Sequence, residues 1–147
     1  ITLSDTRALL AAYDGHGGAQ VVDALKPTLP AMLSASLSFG TPSGALESAF
    51  SYADNILSGT QPGTVGAAAA VVLVDTDEIT CANVGDVAVV LVPGQGAPAV
   101  LTTKHDKSNA EERQRADDGR LADARCQRYL AVADLPVGHA SSKPVST

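Results

Sequence analysis

Tryptophan is absent from this 147-residue chain, and Phe and Tyr bring the aromatic content to only 3%. The core must therefore be built largely from Ala, Val and Leu, whose smaller side chains each remove less apolar surface from water. Long apolar runs are missing too. Although 45% of the residues are hydrophobic, no run approaches the ~20 residues a membrane span needs, so no membrane partner is expected. Basic charge is scarce, with ten Lys and Arg against sixteen Asp and Glu. Most of the ten crowd between Lys104 and Arg128, where they alternate with acids. That is a solvated mixed-charge face rather than a cationic stripe able to displace counterions, and no nucleic-acid partner is expected. Two cysteines occur, Cys81 in an apolar run and Cys126 among charges. They have neither metal-ligand spacing nor a disulfide framework, and read as free thiols in the cytoplasm or another reducing compartment.

The length suits a single domain, residues 1–147. The chain opens at Ile1 without a cationic, apolar and cleavable leader, and reads as a segment of something longer. "TRALLAAYD" has the length of a buried strand that stops at Asp14. "AQVVDALKPTLPAMLSASL" spaces Val21, Val22, Leu25, Leu29, Met32, Leu33 and Leu37 for a helix over Ala19 to Leu37, which Pro27 and Pro30 should kink or divide. "SGALESAFSYADNILSG" puts Leu46, Ala49, Phe50, Ala53 and Leu57 on one face of a helix over Ser43 to Leu57, with Ser43 and Glu47 as a candidate capping box. Val-rich segments follow, broken by Asp-Thr-Asp, Gly-Asp and Pro-Gly-Gln-Gly. They predict antiparallel strands near Ala68 to Val74, Ile79 to Val84 and Ala88 to Val92. A capped surface helix is expected over Asn109 to Asp118. After it only Tyr129 to Val132 is apolar, and the rest is loop-like. The pattern predicts a layered α/β (α+β) sandwich with antiparallel sheet, in which these strands supply the core.

The stretch "YDGHGGAQVV" interrupts an apolar run with a carboxylate, an imidazole and three glycines. In one reading it is a turn, with Asp14 capping the next helix and His16 solvated. In the other, Asp14 and the Gly15 carbonyl are hard oxygen ligands for Mg²⁺ or Mn²⁺, and His16 stands beside them as a proton donor. Asp86 is open to the same choice between ordinary turn chemistry and metal ligation. His105 and His139 sit in polar loops without a second ligand at useful spacing and are expected to be solvated. Asp75 to Glu78, "DTDE", lacks the longer loop that calcium sites use and reads as a hairpin turn.

Five segments, in order, resemble the PP2C (PPM) family of metal-dependent protein serine/threonine phosphatases. "YDGHGG" resembles its signature, and "GTVGAAAAVVLV" its Gly-Thr-X-Ala strand opening. "CANVGDVAVVL" resembles its Ala-Asn-X-Gly-Asp hairpin, and "LTTKHDKSNAEERQR" its Leu-Thr-X-Asp-His run. "RCQRYLAVADLPVGH" is similar to its Leu-Ala-Val-Ser-Arg-X-Phe-Gly-Asp segment. The resemblance implies part of an α-β-β-α sandwich, two antiparallel sheets with helices outside. It implies phosphoester hydrolysis by a metal-bound water, with two Mg²⁺ or Mn²⁺ ions in a complete site. Asp14 and Gly15 would be metal ligands, Asp86 a ligand of a further site, and His16 the general acid. No phosphate-binding residue can be named. The implied partner is a phosphoprotein substrate or a protein partner, with the chain a subunit of a larger complex in the second case.

Departures from the pattern fall on its chemistry. The family's first strand and its late Asp-Gly and Asp-Asn motifs would lie outside residues 1–147, leaving the domain incomplete at both ends and inactive alone. Inside, Gly-Asp-Ser-Arg becomes Gly85-Asp86-Val87-Ala88 and Asp-His becomes Lys104-His105. Ser-Arg becomes Ala133-Asp134, and Phe-Gly-Asp becomes Val137-Gly138-His139. Two functions fit: a phosphatase domain, or a pseudophosphatase retained as an interaction or scaffolding module.

Overall fold

Residues 1–58, 64–106, 108–111, 113–114 and the backbone of 131–136 are described by a computed structural model. The chain opens with a strand not anticipated from the sequence. β1, Thr2–Ser4, turns at Asp5-Thr6 and pairs antiparallel with β2, Arg7–His16. Then come helices α1, Gln20–Ser36, and α2, Pro42–Ser58. Strands β3, Gly66–Val74, and β4, Glu78–Val84, form a second hairpin. β5, Val90–Leu91, pairs with β6, Ala99–Val100, and β7, Ala131–Pro136, returns to the first sheet. Among the described residues one sheet has the order β1-β2-β3-β4-β7, entirely antiparallel, and a second is the β5-β6 ribbon.

The mixed α/β class is as expected, and three predicted strands fall on β2, β3 and β4. β2 runs two residues past Asp14. The backbone opposite it on β3 is a row of small residues, so Asp14, Gly15 and His16 still pair with Ala68, Ala67 and Gly66. The expected strand near Ala88 to Val92 shrinks to β5 and adds little to the core. Val90 is 51% and Val92 72% exposed, because a two-stranded ribbon buries only one face. Ala131 to Pro136, expected to be loop beyond Val132, is strand throughout. β7 is last in the sheet order, where Pro136 and its missing N–H are tolerated. The Asp75 to Glu78 stretch is the expected turn, closed by the Asp75 N–H donating to the Glu78 carbonyl at 2.8 Å.

Periodicity places the core. Val21, Leu25, Leu29 and Leu33 of α1 and Leu46, Ala49, Phe50, Ala53 and Leu57 of α2 are buried against Leu9, Ala69, Val71, Leu73 and Ala82 of the sheet. α1 is one uninterrupted helix despite Pro27 and Pro30. Each proline removes one backbone bond, but the buried leucine row docks the helix along its whole length. The cap of α2 is not Ser43. Thr41 Oγ1 accepts from the Gly44 N–H at 3.2 Å and Pro42 takes the first helical position, where its missing N–H costs nothing.

Helical backbone is present at Ala110, Glu111, Arg113 and Gln114, the first turn of the expected surface helix. Its remainder to Asp118, together with Cys126, Tyr129, His139 and the Val137-Gly138-His139 departure, lies outside the described residues. Cys81 is a buried thiol, its Sγ 4.0 Å from the Leu101 carbonyl oxygen. No helix among the described residues is long and apolar enough to cross a membrane.

Candidate functional site

β2 and β4 both run antiparallel to β3, so they are parallel to each other and end on the same edge of the sheet. Asp14, Gly15 and His16 occupy that edge at the end of β2, all exposed. Beyond β4 the chain turns at Gly85, whose φ of +80° favours glycine. A Cβ there would stand 2.7 Å from the Ala68 Cβ. Ala68 is the cross-strand partner of Asp14, so the Gly85-Asp86 turn presses onto the residue paired with Asp14. The structure thus brings the Gly85-Asp86 turn to the cross-strand partner of Asp14, with Gly15 and His16 following on β2 opposite Ala67 and Gly66.

The connection after His16 is equally tight. Gly17 has φ +72°, and a Cβ on it would overlap the Thr64 carbonyl. This turn belongs to the strand edge and does not cap the helix. α1 begins at Gln20 behind Ala19, with no side-chain cap bond. Asp14 is therefore not the cap of α1 that the turn reading made it, while His16 is exposed as that reading expected.

The turn carrying Asp86 is anchored from below by Asn83, which is fully buried. Its Nδ2 donates to the Thr103 carbonyl at 2.8 Å and to the Val87 carbonyl at 3.2 Å. The His105 N–H donates to the Gly85 carbonyl at 2.9 Å and the Leu101 N–H to the Val89 carbonyl at 2.9 Å. Residues 85 to 105 are thereby folded over the β4 side of the sheet. His105 is 8% exposed, contrary to the solvated loop position expected for it, because its backbone is tied to Gly85 underneath this cover. Asp106 next to it accepts from the Ser108 hydroxyl and N–H, and these bonds hold its carboxyl below the usual carboxylate value.

Tyr13 faces the other way, toward the helices. Its hydroxyl oxygen is buried without a hydrogen-bond partner among the described residues, and burial pushes the phenol above its ordinary value. A cavity of about 330 Å³ also lies on that side, lined by Val21, Leu25, Phe50, Asp54, Ala69 and Val84 among others. Asp14, Gly15, His16 and Asp86 take no part in it. Candidate chemistry and cavity are on opposite faces of the sheet.

The oxygens these candidates offer, the Asp14 and Asp86 carboxylates and the Gly15 carbonyl, are hard donors of the kind Mg²⁺ and Mn²⁺ take. In kind they suit such an ion; in number they are short of a closed site. Among the described residues no group of three or more His, Cys, Asp or Glu side chains is placed to hold a metal. Asn83, Ala68 and Gly66 shape the site without having been singled out in the sequence. The available signals were Asn83 preceding the Gly-Asp turn and the glycine that opens the alanine run.

A family model described as protein phosphatase 2C matches residues 2–133. The chain is 28% identical over 162 residues to the probable protein phosphatase 2C 68 of Oryza sativa subsp. japonica, covering 92% of this chain and 45% of that protein. It is 32% identical over 115 residues to the probable protein phosphatase 2C 11 of Arabidopsis thaliana, covering 76% of this chain and 31% of that one. The chain therefore spans less than half the length of either relative. A crystal structure of serine-threonine phosphatase 2C from Toxoplasma gondii superposes with a TM-score of 0.64 at 15% identity, over 79% of this chain and 46% of that one. At that identity the likeness is one of fold.

Proposed function

Since the chain belongs to the protein phosphatase 2C family, we propose that it is part of a metal-dependent phosphatase domain acting on phosphoserine and phosphothreonine in protein substrates, inactive as these 147 residues alone. The observation that carries this reading is that the Gly85-Asp86 turn packs onto Ala68, the cross-strand partner of Asp14, at the end of the strand that carries Gly15 and His16. Asp14 and the Gly15 carbonyl would hold Mg²⁺ or Mn²⁺, and Asp86 would contribute to a further ion. A bound ion of this kind lowers the pKa of a coordinated water and draws charge from phosphoryl oxygens. His16, two residues from Asp14 on the same face of β2, would hand a proton to the departing seryl or threonyl oxygen. Two carboxylates cannot offset four positive charges, so firm binding of two ions needs carboxylates beyond this set.

A second reading, a pseudophosphatase acting as an interaction module or a subunit of a larger complex, has its own support. Val87-Ala88 and Lys104-His105 stand where the family pattern the chain resembles has Ser-Arg and Asp-His. Mn²⁺ calorimetry and phosphopeptide hydrolysis on the full-length protein and its Asp14→Asn variant separate the two. The phosphatase reading expects two bound ions and turnover, both lost in Asp14→Asn. A folded protein that neither binds nor hydrolyses at millimolar Mn²⁺ overturns it.

A further inference from the structure

Gly66 lies directly opposite His16, at the end of the β2–β3 ladder and at the head of the run Ala67 to Ala70. Glycine within a strand weakens it and often marks a bulge, a tight bend or a close approach. The backbone does not ask for one here: Gly17, Gly18, Gly85 and Gly96 have positive φ, and Gly66 does not. What occupies the space is the imidazole. A Cβ on Gly66 would stand 2.6 Å from both Cε1 and Nε2 of His16 and 3.6 Å from Nδ1. The ring therefore lies across β3 with its Cε1–Nε2 edge over the glycine. Cross-strand partners ordinarily share this space; at this position one side chain has all of it.

We propose that Gly66 is a positioning residue for His16: the missing side chain is the slot that lays the imidazole across β3, on the face shared by Asp14 and the Gly85-Asp86 turn. Gly66 and Ala68 are two apart on one face of β3, as are His16 and Asp14 on β2. The ring in its slot thus adjoins the Asp14–Ala68 pair onto which Gly85 packs. The atoms an alanine would strike are the far end of a rotatable side chain. Gly66→Ala therefore turns the ring out into another rotamer and leaves the strand in place.

The inference rests on His16 being the proton donor, and its test keeps the two apart. In the labelled native protein, a nuclear Overhauser cross-peak between His16 Hε1 and the Gly66 Hα protons is expected, and it disappears in Gly66→Ala while the β3 amide pattern is kept. Its absence from the native protein overturns the proposal without recourse to any variant. In the full-length protein, with Mn²⁺ and p-nitrophenyl phosphate, Gly66→Ala is expected to lower kcat about tenfold through misplacement of the donor. KM and Mn²⁺ affinity stay unchanged, and no further loss follows when Gly66→Ala is added to His16→Ala. Unchanged kcat in Gly66→Ala, or an equal loss in the His16→Ala background, overturns the positioning role. If His16→Ala itself turns over normally, the proton-donor reading fails and takes the catalytic role of Gly66 with it. The cross-peak still decides whether the contact exists.

Discussion

The two faces of the five-stranded sheet are built for different ends. Toward the helices, Leu9, Val71, Leu73 and Ala82 are buried with the leucines of α1 and α2, and no carboxylate of the candidate site points there. On the other face Leu10 is open to solvent, Asp14 and His16 stand exposed at the edge, and cover comes from the segment that Asn83 pins over β4. One face carries the helix-covered core, and the other carries the polar groups of the candidate site. Substitutions on the first face should therefore change stability and leave ion binding alone. Those on the second should do the reverse, wherever the covering segment is not involved.

The largest test of that separation is Leu46→Ala. Leu46 of α2 is fully buried in the core, and its truncation should cost about 2 to 5 kcal/mol through lost transfer energy and the cavity left behind. Urea unfolding would measure it. A loss below about 1 kcal/mol would mean that this alanine-rich core collapses around the gap. Mn²⁺ affinity of the folded variant should match the parent, and a parallel loss of binding would show that the two faces are coupled.

Asn83 is where the separation should break. It sits on the open face yet is wholly buried, and its amide holds the Val87 and Thr103 carbonyls. Asn83→Ala leaves two carbonyls without their donor and should cost about 1 to 3 kcal/mol. It should also loosen the Gly85-Asp86 turn. Faster hydrogen exchange at the His105 amide, which donates to Gly85, would report that loosening; protection equal to the parent would show that the turn holds without Asn83.

Much of this was legible in the sequence, for a physical reason that differs between the faces. A helix stripe every three to four residues and a valine-rich strand with turn residues at its ends are local patterns, so both helices and β2, β3 and β4 could be placed. The interruption Asp-Gly-His-Gly-Gly and the Gly85-Asp86 turn likewise announced themselves by residue type. What could not be read were features decided by partners distant in sequence. Pro27 and Pro30 signal a break, but the packing of Leu25, Leu29 and Leu33 keeps α1 whole. β7 pairs with β4 across about fifty residues. His105 looks polar in its loop and is buried only because its backbone is tied to Gly85. Gly66 looks like one more small residue until His16 is laid opposite it.

The smallest expected effect lies at the end of the sheet away from Asp14. Arg7, first residue of β2, donates from Nε to Asp75 Oδ2 at 2.7 Å and from Nη2 to the same oxygen, and the Thr76 N–H donates to Oδ1 at 2.8 Å. The Arg7 hydrogen bond, followed by that of Thr76, holds the Asp75 carboxyl below its usual value of 3.8. A carboxyl depressed in the folded state contributes stability that is fully present above its unfolded value and is lost as pH falls through the folded one. The loss should therefore appear only below the ordinary aspartate range, and stability near neutrality should be flat with respect to this group. Both side chains are partly exposed, at 30% and 25%, so solvent screens the pair and its share of total stability is small. Urea midpoints of the parent and Asp75→Asn as a function of pH would show it. The parent should be the more stable above the range and the two curves should converge in acid; curves separated by a constant amount at every pH would mean that the ionised carboxylate contributes nothing and the side chain acts through packing alone.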